Sequence, residues 1–466
     1  MGEEIESLGF TSEDKTRFAE KLARETDLAR QLFLDNAFSR EGYTLGFEIE
    51  AWILDHSFFP TPINQQVLER LANPLAVPEL SRFNLELNCD PLTLEGDALS
   101  RAHACLSQLW SACNGAAHGL DANLVMIGTL PTIREEDMTL KNMSPLNRYY
   151  ALNAEVLRQR GGRPLKIDIK GRDHLVSQHF DLMMEAATTS FQIHLKTPAQ
   201  SAHRFYNASI AASGPILAAA GNAPFLFGKS LWDETRIPLF EQAVVVPGAQ
   251  RVSLGSGYAA ASCIELFEEN LRDYPVLLPA DFDEPPAALR HLRLHNGVIW
   301  RWNRPLIGFE PGGAPHLRIE HRILPAGPTL IDMIANAALY LGLSRSLAFS
   351  TPDGTGGLPF DAARRNFYAA ARNGLDARLF WPGLGEIAAD RLLLDHLLPA
   401  ARRGAAEFGL DAGDYLDIVE ARLHVRQTGA VWQRKACDAY GGSVYEVMAA
   451  YCERQRSGAP AHEWEL

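Results

Sequence analysis

The chain has 466 residues, enough for a large core and for two or three domains. Hydrophobic residues at 47% and charged residues at 22% are ordinary for a globular protein. The formal net charge of −13 argues against a nucleic-acid-binding surface as the main function, although arginines clustered with Mg²⁺ can still reverse the field locally for a nucleotide.

Met1 to Glu6 is acidic and lacks an apolar run, so it does not read as a signal peptide. Residues 11–40 place Phe18, Leu22, Leu28, Leu32 and Phe33 at roughly helical spacing, and Thr11-Ser12-Glu13 supplies N-cap chemistry; a helix is expected there. Strands are expected from Tyr43 to Leu54 and from Leu80 to Asn88, the second closed by Asp90-Pro91. The helical period returns from Asp97 to His118, and Leu124 to Gly128 reads as a short buried strand. Residues 131–180 are polar, basic and rich in breakers, which suggests an active-site loop region with short helices. A strand around His194 follows, then a helix from about Ala199 to Ala220, ended by Asn222-Ala223-Pro224. The most apolar stretch, Ala208 to Phe227, is broken by Ser213, Gly214, Pro215, Gly221, Asn222 and Pro224, so it reads as a buried helix and turn and not as a membrane span. Residues 276–290 resemble a surface loop, a strand carries Glu320, and a helix is expected from Thr329 to Phe349. After the break at 352–357, residues 361–466 are mostly helical. The six cysteines form no CxxC pair and argue against a disulfide scaffold or a cysteine zinc site. A cytoplasmic protein with no membrane partner is expected.

Four segments share one pattern. In Gly46-Phe47-Glu48-Ile49-Glu50, Asn84-Leu85-Glu86-Leu87-Asn88, Gln192-Ile193-His194-Leu195-Lys196 and Arg318-Ile319-Glu320-His321-Arg322, polar groups alternate with largely apolar ones. Successive side chains of a strand point to opposite faces. Each segment can therefore bury one face while the other presents carboxylates, an imidazole and cations. A doubly wound parallel sheet would have near-continuously apolar strands. The pattern instead predicts an α+β protein: an antiparallel sheet with a polar concave face and helices packed on the other face. The expected division is an N-terminal helical segment 1–40, a sheet domain 41–350, and a mostly helical region 351–466 packed on it.

Paired carboxylates such as Glu48 and Glu50 repel unless a cation bridges them, and Mg²⁺ binds through a few carboxylates plus substrate phosphates. Each segment alone also fits a solvated strand face. Glu86, His194 and Glu320 in the same context favour the metal reading. Arg322, Arg236 and Arg304 are candidate phosphate or substrate ligands, since guanidinium groups bind such oxyanions in bidentate fashion. Gly255-Ser256-Gly257 lacks the strand–turn–helix frame of a dinucleotide loop, and no GxxxxGK[ST], HExxH or GxSxG motif is present. Any ATP used is therefore not held by a P-loop.

These segments, Thr44 to Glu50, Glu86-Leu87-Asn88, Thr188 to His194 and Ile319 to Arg322, resemble the successive signature strands of the glutamate–cysteine ligase family, in its type 2 or carboxylate–amine ligase branch. Asn222 to Phe225 followed by Trp232 and Arg236, His295-Asn296-Gly297 before Arg304, and Thr428-Gly429-Ala430 with Gln433-Arg434 add to the likeness, which spans about residues 43–435. The resemblance implies a glutamine-synthetase-like sheet and the cofactors ATP and Mg²⁺. It implies Glu48, Glu50, Glu86, His194 and Glu320 as metal ligands, with Arg322 on phosphate or carboxylate. Gln192, Lys196 and Arg318, on the same strand faces, are assigned to the nucleotide. The implied reaction joins an amino-acid carboxylate, the γ-carboxylate of glutamate in the first instance, to an amine through an acyl phosphate. Where many members carry an aspartate after Glu-x-Arg, this chain has Ile323-Leu324-Pro325, so the likeness speaks to reaction class before substrates. The expected partners are small-molecule amino acids and amines, with no nucleic acid, and a homo-oligomer is left open. Two other readings stand beside this one: a metal-dependent amidohydrolase and a catalytically silent binding homologue.

Overall fold

The computed structural model describes residues 4, 5 and 7–466. Of the acidic opening, Met1, Gly2, Glu3 and Glu6 lie outside the described residues.

The centre of the molecule is an antiparallel sheet. Its strands are β1 (Thr44–Leu54), β2 (Ala76–Pro78), β3 (Asn84–Asn88), β4 (Ser190–Thr197), β5 (Asn303–Phe309) and β6 (Pro315–Pro325), in spatial order β5-β6-β4-β1-β3-β2. Two short strands, Leu92–Thr93 and Asn123–Val125, pair with the two ends of β1. The period-two pattern is realised: Phe47, Ile49, Leu85, Leu87, Phe191, Ile193, Leu195 and Ile319 are all buried in the core. At about 25 cal/mol per Å² of apolar area, this face supplies much of the drive to form the sheet.

Helices cover that core. They include α1 (Ser12–Leu34), α2 (Ala202–Ala220), α3 (Arg236–Ala243), α4 (Arg290–Gly297), α5 (Leu330–Ala348) and α6 (Gly413–Val425). Thr11 starts α1 through a capping box with Asp14. Helices α2 and α5 are buried almost all round and pack on each other, with α2 also against β6, as apolar helices in the centre of a large protein do. Asn222 follows α2 and ties four segments together: its amide donates to Ala326 O and the Tyr451 hydroxyl, it accepts from Gln433, and its backbone N–H meets Glu234. Among the described residues no helix is long and apolar enough to cross a membrane.

Two regions differ from the sequence expectation. Residues 131–180 are not a loop with short helices alone: they hold a 13-residue helix, Asn147–Gln159, and a hairpin of Leu165–Lys170 with His174–His179. Leu165, Ile167 and Ile169 alternate with exposed Lys166, Asp168 and Lys170, a strand period obscured by its charges. Strand β5 was also unexpected. Pro305 within it argues against a strand, but β5 is the last strand at its end of the sheet, where a missing N–H is tolerated.

The C-terminal helices are held to the centre by a buried ion pair. Arg422 of α6 donates to Asp332 (2.8 Å), Asn336 (2.5 Å) and Ala219 O (3.0 Å), so one guanidinium binds α2, α5 and α6. Removing one partner of such a pair leaves an uncompensated buried charge. Arg422→Met should lower unfolding stability by about 3–5 kcal/mol, read from urea denaturation by circular dichroism. A loss below about 1 kcal/mol, the range of exposed pairs, would mean that apolar packing alone holds the region.

Candidate functional site

The strand register builds the site. Gly46, His194, Glu320 and Arg304 form one row across β1, β4, β6 and β5. Two residues along β1, Glu48 lies opposite Gln192 and Asn88; two further, Glu50 lies opposite Glu86. A bulge between His321 and Leu324 shifts the β6 register at Arg322, whose backbone N–H bonds Trp302 O. Glu48, Glu50, Glu86, Gln192, His194, Arg304, Arg318, Glu320 and Arg322 all line one cavity of about 290 Å³.

The chemistry separates into two clusters. In the first, His194 Nε2 lies 3.0 Å from Glu48 and 4.0 Å from Glu320. Arg304 grips both oxygens of Glu320 as a fork, at 2.7 and 3.0 Å, and its remaining nitrogen donates to the carbonyls of Asn296 and Gly297. Arg322 donates to Gln192 (2.5 Å) and lies 3.3 Å from Glu320. Arg318 donates to His194 Nδ1 at 3.3 Å. Burial alone would raise the Glu320 carboxyl; Arg304, Arg322 and His194 overcome it and hold the group well below the usual carboxylate range. Glu48 is likewise held down against burial, with His194 beside it.

The second cluster has the opposite electrostatics. Oxygens of Glu50, Glu79 and Glu86 converge within 4.8 Å of one another. Glu50 accepts the Ser190 N–H and hydroxyl at 2.7 Å each and the Gln192 amide at 3.0 Å. Asn88 donates to Glu86 and the Leu80 N–H to Glu79. Burial and the neighbouring carboxylates raise Glu86 well above its ordinary value and Glu79 to about 7. Glu50 is raised by burial against its hydrogen bonds and the nearby Arg322 and Arg236. Glu185 lines the same cavity, and burial with Glu79 lifts it to about 8; its Oε2 is buried with no hydrogen-bond partner. Convergent carboxylate oxygens with little cationic support are a donor set for a hard divalent cation such as Mg²⁺.

The five residues expected to bind metal therefore meet as two groups, Glu48, His194 and Glu320 in one and Glu50 and Glu86 in the other. Arg304 has its donors engaged by Glu320 and two carbonyls. Lys196 pairs with Glu310 at 2.5 Å and is not among the cavity-lining residues. Arg236 opens α3 and is buried; it donates to Ile323 O, Glu234 and Arg322 O, while its Nε has no partner. Glu79 and Glu185 were not anticipated. Neither sits in a period-two strand; the one signal for Glu185 was a lone carboxylate within Leu182-Met183-Met184-Glu185-Ala186-Ala187.

No protein-family model matches the chain, and no curated protein matches it in sequence. Solved structures do match. A glutamate–cysteine ligase from Francisella tularensis, in complex with AMP, superposes with a TM-score of 0.57 at 12% identity, over 90% of each chain. A bifunctional glutathione synthetase from Pasteurella multocida gives 0.54 at 11% identity; the match covers 92% of this chain and 54% of that longer one. These likenesses establish that the chain shares their fold, a mixed helix and antiparallel-sheet architecture.

The second cluster gives a testable pH dependence. A carboxyl whose folded pKa is raised binds more protons folded than unfolded near neutrality, so the protein gains stability as pH falls. For Glu185 the gain begins as pH drops through about 8, and for Glu79 as it drops through about 7. In metal-free protein, wild type should gain stability relative to Glu185→Gln between pH 8.5 and 6.5, measured by denaturation at each pH. Saturating Mg²⁺ should raise the melting temperature of wild type more than that of Glu79→Gln. Parallel pH profiles for wild type and Glu185→Gln would refute the raised carboxyl.

Proposed function

We propose that this protein is an ATP- and Mg²⁺-dependent ligase that joins a carboxylate to an amine through an acyl-phosphate intermediate. One observation carries the reading: two carboxylate-rich clusters line one cavity beside buried arginines, in a fold shared with a glutamate–cysteine ligase. The donor sets fit Mg²⁺, with five carboxylates and one imidazole and no thiolate. Glu48, His194 and Glu320 would hold one ion and Glu50, Glu79 and Glu86 another. Bound there, Mg²⁺ neutralises charge on the transferring phosphoryl group.

The chain's own residues do the rest. Arg304 fixes Glu320 in one orientation. Gln192 bridges Arg322 and Glu50 and so sets the spacing between the two clusters. Arg322 and Arg236 each keep a buried Nε without a partner, positioned for an incoming oxyanion. Arg318 and Gln192 are the remaining groups assigned to the nucleotide. The cavity walls limit water, so an activated acyl group survives until an amine captures it. The three carboxyl groups of the second cluster, with Glu185 in the same cavity, also favour an approaching ammonium group. A metal-dependent amidohydrolase would more typically use more imidazoles, and the single histidine here favours the ligase.

The test incubates the protein with Mg-ATP, a panel of carboxylic acids that includes glutamate, and hydroxylamine. ADP release with hydroxamate formation is expected; ATP-independent amide cleavage would instead establish the hydrolase. Absence of nucleotide binding by calorimetry across the panel would end the ligase reading.

Two substitutions probe the arrangement. Glu48→Gln should abolish turnover while leaving the circular dichroism spectrum and melting temperature near wild type. Arg322→Lys should lower kcat/KM by the equivalent of about 2–4 kcal/mol, because an ammonium cannot copy the planar fork at a charge-stabilising position. Unchanged kcat/KM in the lysine variant would place Arg322 outside the reaction.

A further inference from the structure

The same cavity has a second, chemically different end. Phe240, Phe267, Leu278, Trp300, Trp302 and Leu306 line it beside the arginines, contributed by α3, β5 and the chain between them. Phe240 meets Trp300 and Trp302 edge-on, with centroids 6.3 and 5.7 Å apart. These side chains form a largely apolar wall. The Trp302 indole N–H is taken by Glu241, and the Asn296 amide joins Pro305 O and Asn270.

This apolar wall is continuous with the oxyanion position. Arg236 and Phe240 are four residues apart on α3 and so lie on one helical face. Arg236 reaches Arg322 O, and the Arg322 N–H bonds Trp302 O. Two arginines, each with a buried Nε that has no partner, thus line the same cavity as these aromatic rings. A small amino acid would leave that aromatic chamber unfilled.

We propose that the acid substrate is a carboxylic acid with an apolar, ring-sized body: its carboxylate at Arg236 and Arg322, and its body against the wall formed by Phe240, Trp300 and Trp302. The inference rests on the ligase reading and names the class of acid that site takes. It sets the expected acid apart from glutamate, whose second carboxylate and ammonium would have to be desolvated against this wall.

The experiment compares kcat/KM for glutamate, 3-phenylpropionate, 4-phenylbutyrate and hexanoate in the ADP-release assay, with hydroxylamine as acceptor. Aryl acids should exceed glutamate by at least tenfold. Trp300→Ala should lower kcat/KM for the aryl acids at least tenfold and leave the KM for ATP within twofold. Trp300→Phe, which keeps a ring, should recover most of the loss and guards against a folding defect in the alanine variant. Preference for glutamate in wild type, or an effect of Trp300→Ala confined to the KM of ATP or of the amine, would overturn the proposal. Binding separates this from failure of the ligase reading. Should no acid support ADP release, calorimetry with 3-phenylpropionate still decides: binding lost in Trp300→Ala upholds the chamber as an aryl-acid site, and no binding removes it.

Discussion

The constraint on which this structure turns is the burial of many ions on one side of a sheet whose other side is hydrocarbon. Taking an ionised carboxylate out of water costs several kcal/mol even after relaxation. The molecule meets that cost unevenly. Glu320 sits within a guanidinium fork from Arg304, with Arg322 and His194 close by, and stays ionised. Glu50, Glu79 and Glu86 receive hydrogen bonds but little positive charge, Glu185 keeps a buried oxygen without a partner, and the acidities of all four fall accordingly. Around Glu320 the protein supplies the compensating positive charge; around the second group it supplies hydrogen bonds to Glu50, Glu79 and Glu86 in place of charge. A fold that sustains such a group needs a strong counterweight, and the fully buried residues between the polar ones on the same strands provide it.

The arginines divide in the same way. Arg304 has its donors engaged, and its role is to hold a carboxylate. Arg422 does the equivalent work for helix packing far from the cavity. Arg236 and Arg322 are anchored through their terminal nitrogens while Nε stays unengaged. A guanidinium positioned by its surroundings and still holding an unengaged donor is preorganised for an oxyanion, which is how such groups stabilise developing charge. Residue type alone could not separate these roles; the partners do.

Much of the sheet was legible because a strand repeats every two residues, and the polar face of each segment announced itself locally. The rows Gly46–His194–Glu320 and Glu50–Glu86 follow from strands visible in the sequence, although their pairing order was not. Strand β5 was hidden by Pro305, which is harmless at an edge, and with it the fork from Arg304 to Glu320. The hairpin at 165–179 was hidden by charged residues on its exposed face. Glu79 and Glu185 belong to a connection and a short 3-10 turn, so no period marks them. Their convergence with Glu50 and Glu86 is a property of tertiary folding. The aromatic chamber was equally silent, because Phe240, Trp300 and Trp302 look like core residues until the cavity beside them is seen.

Register ties the polar and apolar faces of these strands to one another. A one-residue slip of β1 against β4 would exchange its two faces. Glu48 and Glu50 would enter the hydrocarbon core, and Phe47 and Ile49 would enter the polar cavity. Each error alone is costly, and they occur together, so the pairing is specified from both sides at once. Individual side chains can then change widely provided the alternation stays. What the fold must retain is the order of polar and apolar positions along each strand. That order also places Glu48, Glu50, Glu86, His194 and Glu320 in one cavity with Arg304 and Arg322, so the demands of folding and of the cavity fall on the same residues.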